Sequence, residues 1–179
     1  MVATISQAVE EFLALNERFA SCGLDDSSHV LWSALARRIE GVVLTAQTRG
    51  YEHRPRRQHA RAALRLPVRF TEPAGLGTAS TVDLSAGGCS VIVPLRIEPG
   101  EDVSLELELP RGSGKLLLSG WVTWGAPAKN GAWRIGIAFA GVTQRERDLL
   151  AAVVLEAAVP ATFRKGPWDD KQPDTTSTD

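Results

Sequence analysis

The spacing of apolar residues changes in the first half of this 179-residue chain, from a helical period to a period of two. Residues 5–19 and 31–46 each carry an apolar stripe at helical spacing. Between them Gly23 provides a helix stop, and residues 25–28 offer several possible helix N-caps. From Leu64 onward, apolar and polar residues alternate as they do in half-buried antiparallel strands. The change predicts an N-terminal hairpin of two helices followed by a β domain.

Six segments of the second part have strand character, and turn residues separate them. They cover residues 64–70, 77–85, 88–94, 103–109, 115–125 and 132–139. Short strands joined by tight turns favour a closed or nearly closed antiparallel barrel. Thr143 and Glu146 then match a capping box, which predicts a final helix with a buried stripe that continues to Ala157.

The predicted fold is therefore mainly β, a six-stranded antiparallel barrel with a C-terminal helix, preceded by an α-helical hairpin. We expect four parts along the chain. They are a helical hairpin at residues 1–48 for interaction or dimerisation, a basic linker at 49–61, the barrel with its helix at 62–158, and a polar, disordered tail at 159–179.

Charge and composition narrow the classes of function. The formal net charge is -1, so the molecule as a whole is not a polycation, and a nucleic-acid partner is not expected. The N-terminal stretch lacks a signal-peptide pattern and no apolar run approaches the roughly 18 residues that span a bilayer, so we expect a cytoplasmic protein without membrane insertion. The two cysteines have no metal-site spacing, and we expect Cys89 in the core.

Catalysis is not expected either. The three histidines show no metal-ligand spacing with one another or with a cysteine, and no Ser/His/Asp or Cys/His arrangement is supported by the sequence. We therefore predict that the protein is not an enzyme and has no metal site and no cofactor.

Two short motifs contain the candidate ligand-binding residues. Arg57 and Arg61 form an RxxxR motif just before the first predicted strand, and Asp83, Ser85 and Gly88 form a DxSxxG motif at the turn between the second and third strands. Strand alternation places Asp83 and Ser85 together on the outer face of the sheet.

The two motifs, in this order and context, resemble the two signatures of the PilZ domain family. The resemblance covers about residues 56–158 and extends through residues 120–124 and 133–139. It implies a barrel whose exterior binds cyclic di-GMP, with the arginine loop wrapped over the ligand. The implied function is a cyclic di-GMP receptor that signals to a protein partner in motility or biofilm regulation.

The chemistry of the motif residues agrees with that ligand. Arg57 and Arg61 can donate bidentately to phosphate and to guanine O6 and N7. Asp83 can accept from the guanine N1–H and amino group, and the Ser85 hydroxyl can donate to phosphate or base. Gly88 would allow a close approach of the backbone to the ligand. In the family, an arginine at the position of Arg56 accompanies binding of two stacked ligand molecules, so we expect two per chain.

Three alternatives remain open. Some family members act as structural adaptors in motility or pilus assemblies without binding the ligand. The basic segment before the barrel could instead bind nucleic acid nonspecifically. The helical hairpin, which the resemblance does not cover, could pack on its own barrel or form a homodimer.

Overall fold

The computed structural model describes residues 4–49, 57–72 and 77–163, which form three helices and seven strands. The N-terminal helices form a hairpin, the strands follow, and the third helix comes last. In chain order the elements are α1 (Ile5–Ser21), α2 (Asp26–Thr48), β1 (Arg61–Ala62), β2 (Pro67–Glu72), β3 (Thr78–Ser85), β4 (Gly88–Val93), β5 (Asp102–Glu108), β6 (Lys115–Pro127), β7 (Trp133–Ala140) and α3 (Gln144–Phe163).

Side-chain caps fix the starts of the helices. Thr4 and Gln7 form a capping box at α1, and the Asp25 carboxylate accepts a hydrogen bond from the Ser28 amide at the start of α2. The predicted capping box of α3 is confirmed, because the Thr143 hydroxyl accepts from the amide of Glu146 and the Glu146 carboxylate accepts from the amide of Thr143.

Six strands close into a barrel, as predicted. Neighbouring strands are antiparallel in the order β3-β2-β5-β6-β7-β4, and β4 pairs back with β3 to close the ring. Inward-facing side chains of alternating positions fill the interior, and most are almost completely buried. They include Val68, Leu84, Val91, Val103, Leu105, Leu107, Val122, Ile135 and Ile137.

The first predicted strand, residues 64–70, is interrupted in the structure. Two separate strands pair with β3 along this edge. In β1, Arg61 is paired with Ser85, and in β2, Pro67 is paired with Ser80. Between them the buried hydroxyl of Thr81 accepts from the Leu66 amide at 2.9 Å and donates to the Leu64 carbonyl. Arg61 is therefore anchored in the sheet rather than lying in a linker.

The helical hairpin packs against α3 of its own chain. Asn16 in α1, only 3% exposed, donates to the Ala152 carbonyl and to the Glu156 carboxylate in α3, and accepts from the indole N–H of Trp32 in α2. The Trp32 ring lies 6.1 Å from that of Phe12. The three helices therefore pack against one another around these residues. Homodimer formation through the hairpin stays a prediction.

Two details differ from the sequence-based expectations. Helix α3 continues to Phe163, past the expected boundary at residue 158, because Val159 is buried four residues after Leu155 and extends the apolar stripe. Trp121 and Trp124 both lie on the outer face of β6, although a spacing of three in a regular strand would separate them. A register shift between Val122 and Trp124 is the reason.

Candidate functional site

Asp83 is the centre of a polar cluster on the outside of the barrel. Its Oδ1 accepts from Nη1 of Arg61 at 3.0 Å, and its Oδ2 accepts from Nη2 of Arg134 at 2.7 Å and from Oγ of Ser90 at 2.6 Å. Arg134 also donates to Ser90 Oγ at 2.9 Å. The Asp83 side chain keeps 20% of its exposure and each arginine side chain 39%, so a ligand can reach the cluster from solvent.

The cluster belongs to a band of outward-facing residues that crosses four neighbouring strands. Asp83 in β3 is paired with Ser90 in β4, Ser90 with Gly136 in β7, and Gly136 with Trp124 in β6. The Trp124 indole lies over Gly136, where a Cβ atom would be only 2.1 Å from its Nε1. Glycine at this position lets the ring lie against β7.

Arg134 links the carboxylate to the aromatic end of the band. Its guanidinium carbon lies 5.8 Å from the centroid of the Trp124 ring, within the range of a cation–π contact. Trp124 is 38% exposed, so part of its ring faces solvent. A flat ring beside a guanidinium and a carboxylate can offer stacking, donation and acceptance to one aromatic ligand.

The predicted arginines occupy different environments. Arg61 contacts Asp83, whereas Arg57 is exposed and forms no hydrogen bond or ion pair within the described part of the chain. Arg56 lies outside the described residues. The second arginine of the RxxxR motif, Arg61, therefore contacts the aspartate of the DxSxxG motif.

The other two motif residues, Ser85 and Gly88, shape the turn. The Ser85 hydroxyl donates to the Gly88 carbonyl at 2.9 Å. Ser85 is only 3% exposed, so unlike Asp83 it does not face solvent as strand alternation predicted. Neither Gly87 nor Gly88 has a positive φ, so neither is required for a left-handed backbone conformation. Gly88 is instead required by a close approach of strands, because a Cβ there would lie 2.2 Å from the Ile137 carbonyl oxygen. The ligand roles of Ser85 and Gly88 stay predictions.

Helix α2 contacts the segment that carries the RxxxR motif. The Arg61 amide donates to Gln47 Oε1 at 3.1 Å, and Gln47 Nε2 donates to the Arg61 carbonyl at 2.5 Å. The Ala60 amide donates to Glu40 Oε1 at 3.0 Å, and His59 Nδ1 lies 3.4 Å from the same oxygen. Burial opposes ionisation of Glu40, but the hydrogen bonds from His59 and Ala60 outweigh it and lower the Glu40 pKa.

Cys89 lies beneath the cluster on the inner face of β4, as expected for a core residue. It is 1% exposed. Burial, assisted by the negative charge of Asp83, raises the pKa of the Cys89 thiol to about 12. The thiol therefore stays protonated at neutral pH and has no nucleophilic character there.

Sequence reasoning missed Ser90, Trp124 and Arg134. Alternation along β4 and β7 places Ser90 and Arg134 outward, and that signal was available. Their convergence on Asp83 depends on the pairing of β4 with both β3 and β7, which the sequence does not specify. Two histidines also lie beside carboxylates: His29 Nε2 is 3.1 Å from Asp148 Oδ2, and His59 Nδ1 is 3.4 Å from Glu40 Oε1.

Two absences hold for the residues that the structure describes. Residues 4–49, 57–72 and 77–163 contain no group of three or more His, Cys, Asp or Glu side chains placed to hold a metal ion. Within the same ranges, every helix is too short or too polar to cross a membrane.

Comparisons with solved structures show the shared fold. MrkH from K. pneumonia, in complex with c-di-GMP, aligns with a TM-score of 0.51 at 14% identity, over 63% of this chain and 57% of that chain. YcgR from Escherichia coli, in complex with c-di-GMP, aligns with a TM-score of 0.50 at 18% identity, over 61% and 49% of the two chains. The apo state of MrkH gives 0.51 at 15% identity, over 64% and 55%. This chain spans about half the length of these proteins.

Comparison with curated protein sequences finds no significant match. The family model described as PilZ domain matches residues 55–156, which is more than half of the chain and includes both motifs and all strands of the barrel. The chain therefore belongs to the PilZ domain family.

Proposed function

We propose that this protein is a cyclic di-GMP receptor that binds the dinucleotide on the outer face of β3, β4, β7 and β6. The observation that carries the proposal is the arrangement of Arg61, Asp83 and Arg134, in which a solvent-accessible carboxylate lies between two guanidinium groups. The choice of ligand is supported by the complexes of MrkH and YcgR with c-di-GMP, which share the fold.

The charges of the site suit the ligand. Arg57, Arg61 and Arg134 supply three positive charges against the single negative charge of Asp83, and cyclic di-GMP carries two phosphate charges. Because guanidinium groups pair with phosphate and with guanine O6 and N7 in a planar, bidentate geometry, each arginine can contact either part of the ligand. These four side chains together carry two positive charges, which one bound dinucleotide would neutralise.

Each side chain of the band has a distinct role in the proposed complex. Asp83 accepts from the N1–H and amino group of one guanine, a pairing that arginine and lysine cannot make. Trp124 provides a ring on which a guanine stacks, and Arg134 donates to the edge or phosphate next to it. Arg57 and Arg61 hold the phosphates from the segment before the barrel.

Binding requires an exchange of partners at Asp83. Both carboxylate oxygens of Asp83 are already bonded to arginines in the structure. A guanine that bonds Asp83 must displace at least one of them, and the released guanidinium becomes available for phosphate. The ligand therefore replaces charge-assisted contacts with similar ones, which keeps the carboxylate paired in both states.

Arg56 supports a stoichiometry of two ligands per chain. A second dinucleotide would add two negative charges, and one additional guanidinium can offset one of them and stack on a guanine. Arg56→Leu should therefore lower the stoichiometry from two to one while binding persists. A wild-type stoichiometry of one would refute this part of the proposal.

Calorimetric titration with cyclic di-GMP tests the assignment. Arg57→Ala, Arg61→Ala and Asp83→Ala should each raise the Kd by about tenfold or more, because each removes charge-assisted hydrogen bonds worth roughly 1.5–3 kcal/mol. Arg65→Ala is the matched control, since Arg65 is an exposed arginine of the same segment outside the motif. Equal affinities in all four folded variants would contradict the site.

The titration also decides the function. We propose that the receptor signals to a protein partner, with the helical hairpin as the element outside the family domain that is available for this contact. The alternative is a structural adaptor of a motility or pilus assembly that does not bind the dinucleotide. A wild-type protein that gives no heat and no protection from thermal unfolding with cyclic di-GMP would refute the receptor function and favour that alternative.

A further inference from the structure

Two polar side chains of α2 bind the backbone of the segment that presents Arg61. Gln47 bonds both backbone groups of Arg61, at 3.1 Å to the amide and 2.5 Å to the carbonyl, so its side-chain amide acts as a short strand partner. Seven residues earlier, two helical turns along α2, Glu40 accepts from the Ala60 amide. The helix therefore contacts two consecutive residues of the segment.

Apart from α2, the segment near Arg61 is held by a short pairing with β3 and by the buried side chains of Ala60 and Ala62. Strand β1 is two residues long, and β1 and β2 are separated by residues 63–66. Isolated pairings of this length are too short to hold a strand in place on their own. The backbone groups of Arg61 that bond Gln47 would otherwise form an open strand edge toward α2.

We propose that Gln47 and Glu40 are positioning residues that set the affinity of the site, by holding Ala60 and Arg61 so that the Arg61 guanidinium lies beside Asp83 before the ligand arrives. The inference rests on the proposed binding of cyclic di-GMP and extends it to the helical hairpin, which lies outside residues 55–156 of the family match. A preorganised arginine loses less conformational freedom on binding, and this difference appears in the Kd.

The same contacts make α2 responsive to the ligand. If Gln47 favours the binding-competent position of Arg61, then the ligand must favour the contact of Gln47 with Arg61 to the same extent, because coupling free energies are reciprocal. The ligand should therefore slow hydrogen exchange of the Ala60 and Arg61 amides, whose acceptors lie on α2.

The test compares Gln47→Ala and Gln47→Glu with Thr45→Ala as control. Thr45 is exposed on the same helix and its hydroxyl bonds the Gly41 carbonyl of that helix. Titration with cyclic di-GMP, far below the melting temperature of each variant, should give a Kd about five- to tenfold higher for Gln47→Ala and unchanged for Thr45→Ala. Gln47→Glu keeps the acceptor for the Arg61 amide and should restore part of the affinity.

The melting temperature of each ligand-free variant separates positioning from stability. A purely structural contact would lower the melting temperature without changing the Kd of the folded protein. Glu40→Gln, which keeps an acceptor for the Ala60 amide, should bind more tightly than Glu40→Ala.

Two results would overturn the inference, and they are distinguishable. If wild type binds and Gln47→Ala has the same Kd as Thr45→Ala, the positioning role is refuted while the receptor function stands. If wild type does not bind cyclic di-GMP at all, the proposed function fails and the inference fails with it.

Discussion

Replacing Gly136 with alanine should weaken ligand binding by displacing the Trp124 ring. Every side chain proposed to contact the ligand is still present in this variant. The added Cβ would lie 2.1 Å from Nε1, 2.4 Å from Cε2 and 2.7 Å from Cδ1 of Trp124. Carbon atoms in favourable contact are about 3.5–4.0 Å apart, so the indole must move away by more than about 1 Å. Gly136 does not have a positive φ, so the alanine itself is not strained.

The expected loss follows from the proposed stacking of a guanine on Trp124. Stacking of a base on an aromatic side chain contributes roughly 1–3 kcal/mol, which corresponds to an increase in Kd of about five- to 150-fold. The barrel should remain folded, because the obstructing atoms belong to a partly exposed side chain rather than to backbone.

A double-mutant cycle isolates this mechanism. Calorimetric titration with cyclic di-GMP should show that Gly136→Ala and Trp124→Ala each weaken binding, and that the double variant binds no more weakly than Trp124→Ala alone. Once the ring is absent, the new methyl group has nothing to displace. If Gly136→Ala weakens binding equally in both backgrounds, the methyl group acts on the ligand or the backbone, and displacement of the Trp124 ring is refuted as the cause. If Trp124→Ala alone does not weaken binding, the stacking role of Trp124 is refuted.

Three further predictions concern pH, the barrel and the thiols. Glu40→Gln should lower the free energy of unfolding at neutral pH, because the lowered pKa means that ionised Glu40 stabilises the fold above its unfolded value of 4.5. This contribution shrinks as pH falls below 4.5 and is lost through the folded pKa, so a difference from wild type in urea unfolding that does not decrease as pH is lowered would contradict it. Gly88→Ala should lower the free energy of unfolding by about 1–3 kcal/mol, since its Cβ would meet the backbone of β7 at 2.2 Å; an unchanged thermal melt would show that the strands can separate at no cost. A thiol reagent should modify exposed Cys22 and spare native Cys89, whose pKa is raised to about 12; mass spectrometry showing equal modification would indicate that the barrel opens around β4.

Local signals were sufficient to predict the elements of the fold. The caps at Asp25 and Thr143 and the alternation of apolar residues from Leu64 onward depend on neighbours a few residues away. The prediction of a closed barrel followed from the number and length of the strands. The split of the first strand was missed because it depends on the buried hydroxyl of Thr81, which lies 15 residues from Leu66.

The candidate site was predictable only in part for the same reason. Asp83 and Arg61 belong to recognisable motifs and meet in the structure, at 3.0 Å. Arg134 lies 51 residues from Asp83 and belongs to no motif that sequence alone identified. Its role depends on the register of β4 and β7, and the outward position of Trp124 depends on the irregularity in β6. Such long-range geometry cannot be obtained from periodicity.

The packing of Asn16 against α3 has a consequence for the order of folding during synthesis. Its partners Ala152 and Glu156 are separated from it by 136 and 140 residues, and the whole barrel lies between them in the chain. At about 5–20 residues per second, α1 and α2 leave the ribosome many seconds before α3 does. Until then the apolar face around Trp32 lacks its contacts with α3. A nascent chain that stalls within the barrel should therefore be bound by chaperones at its helical hairpin.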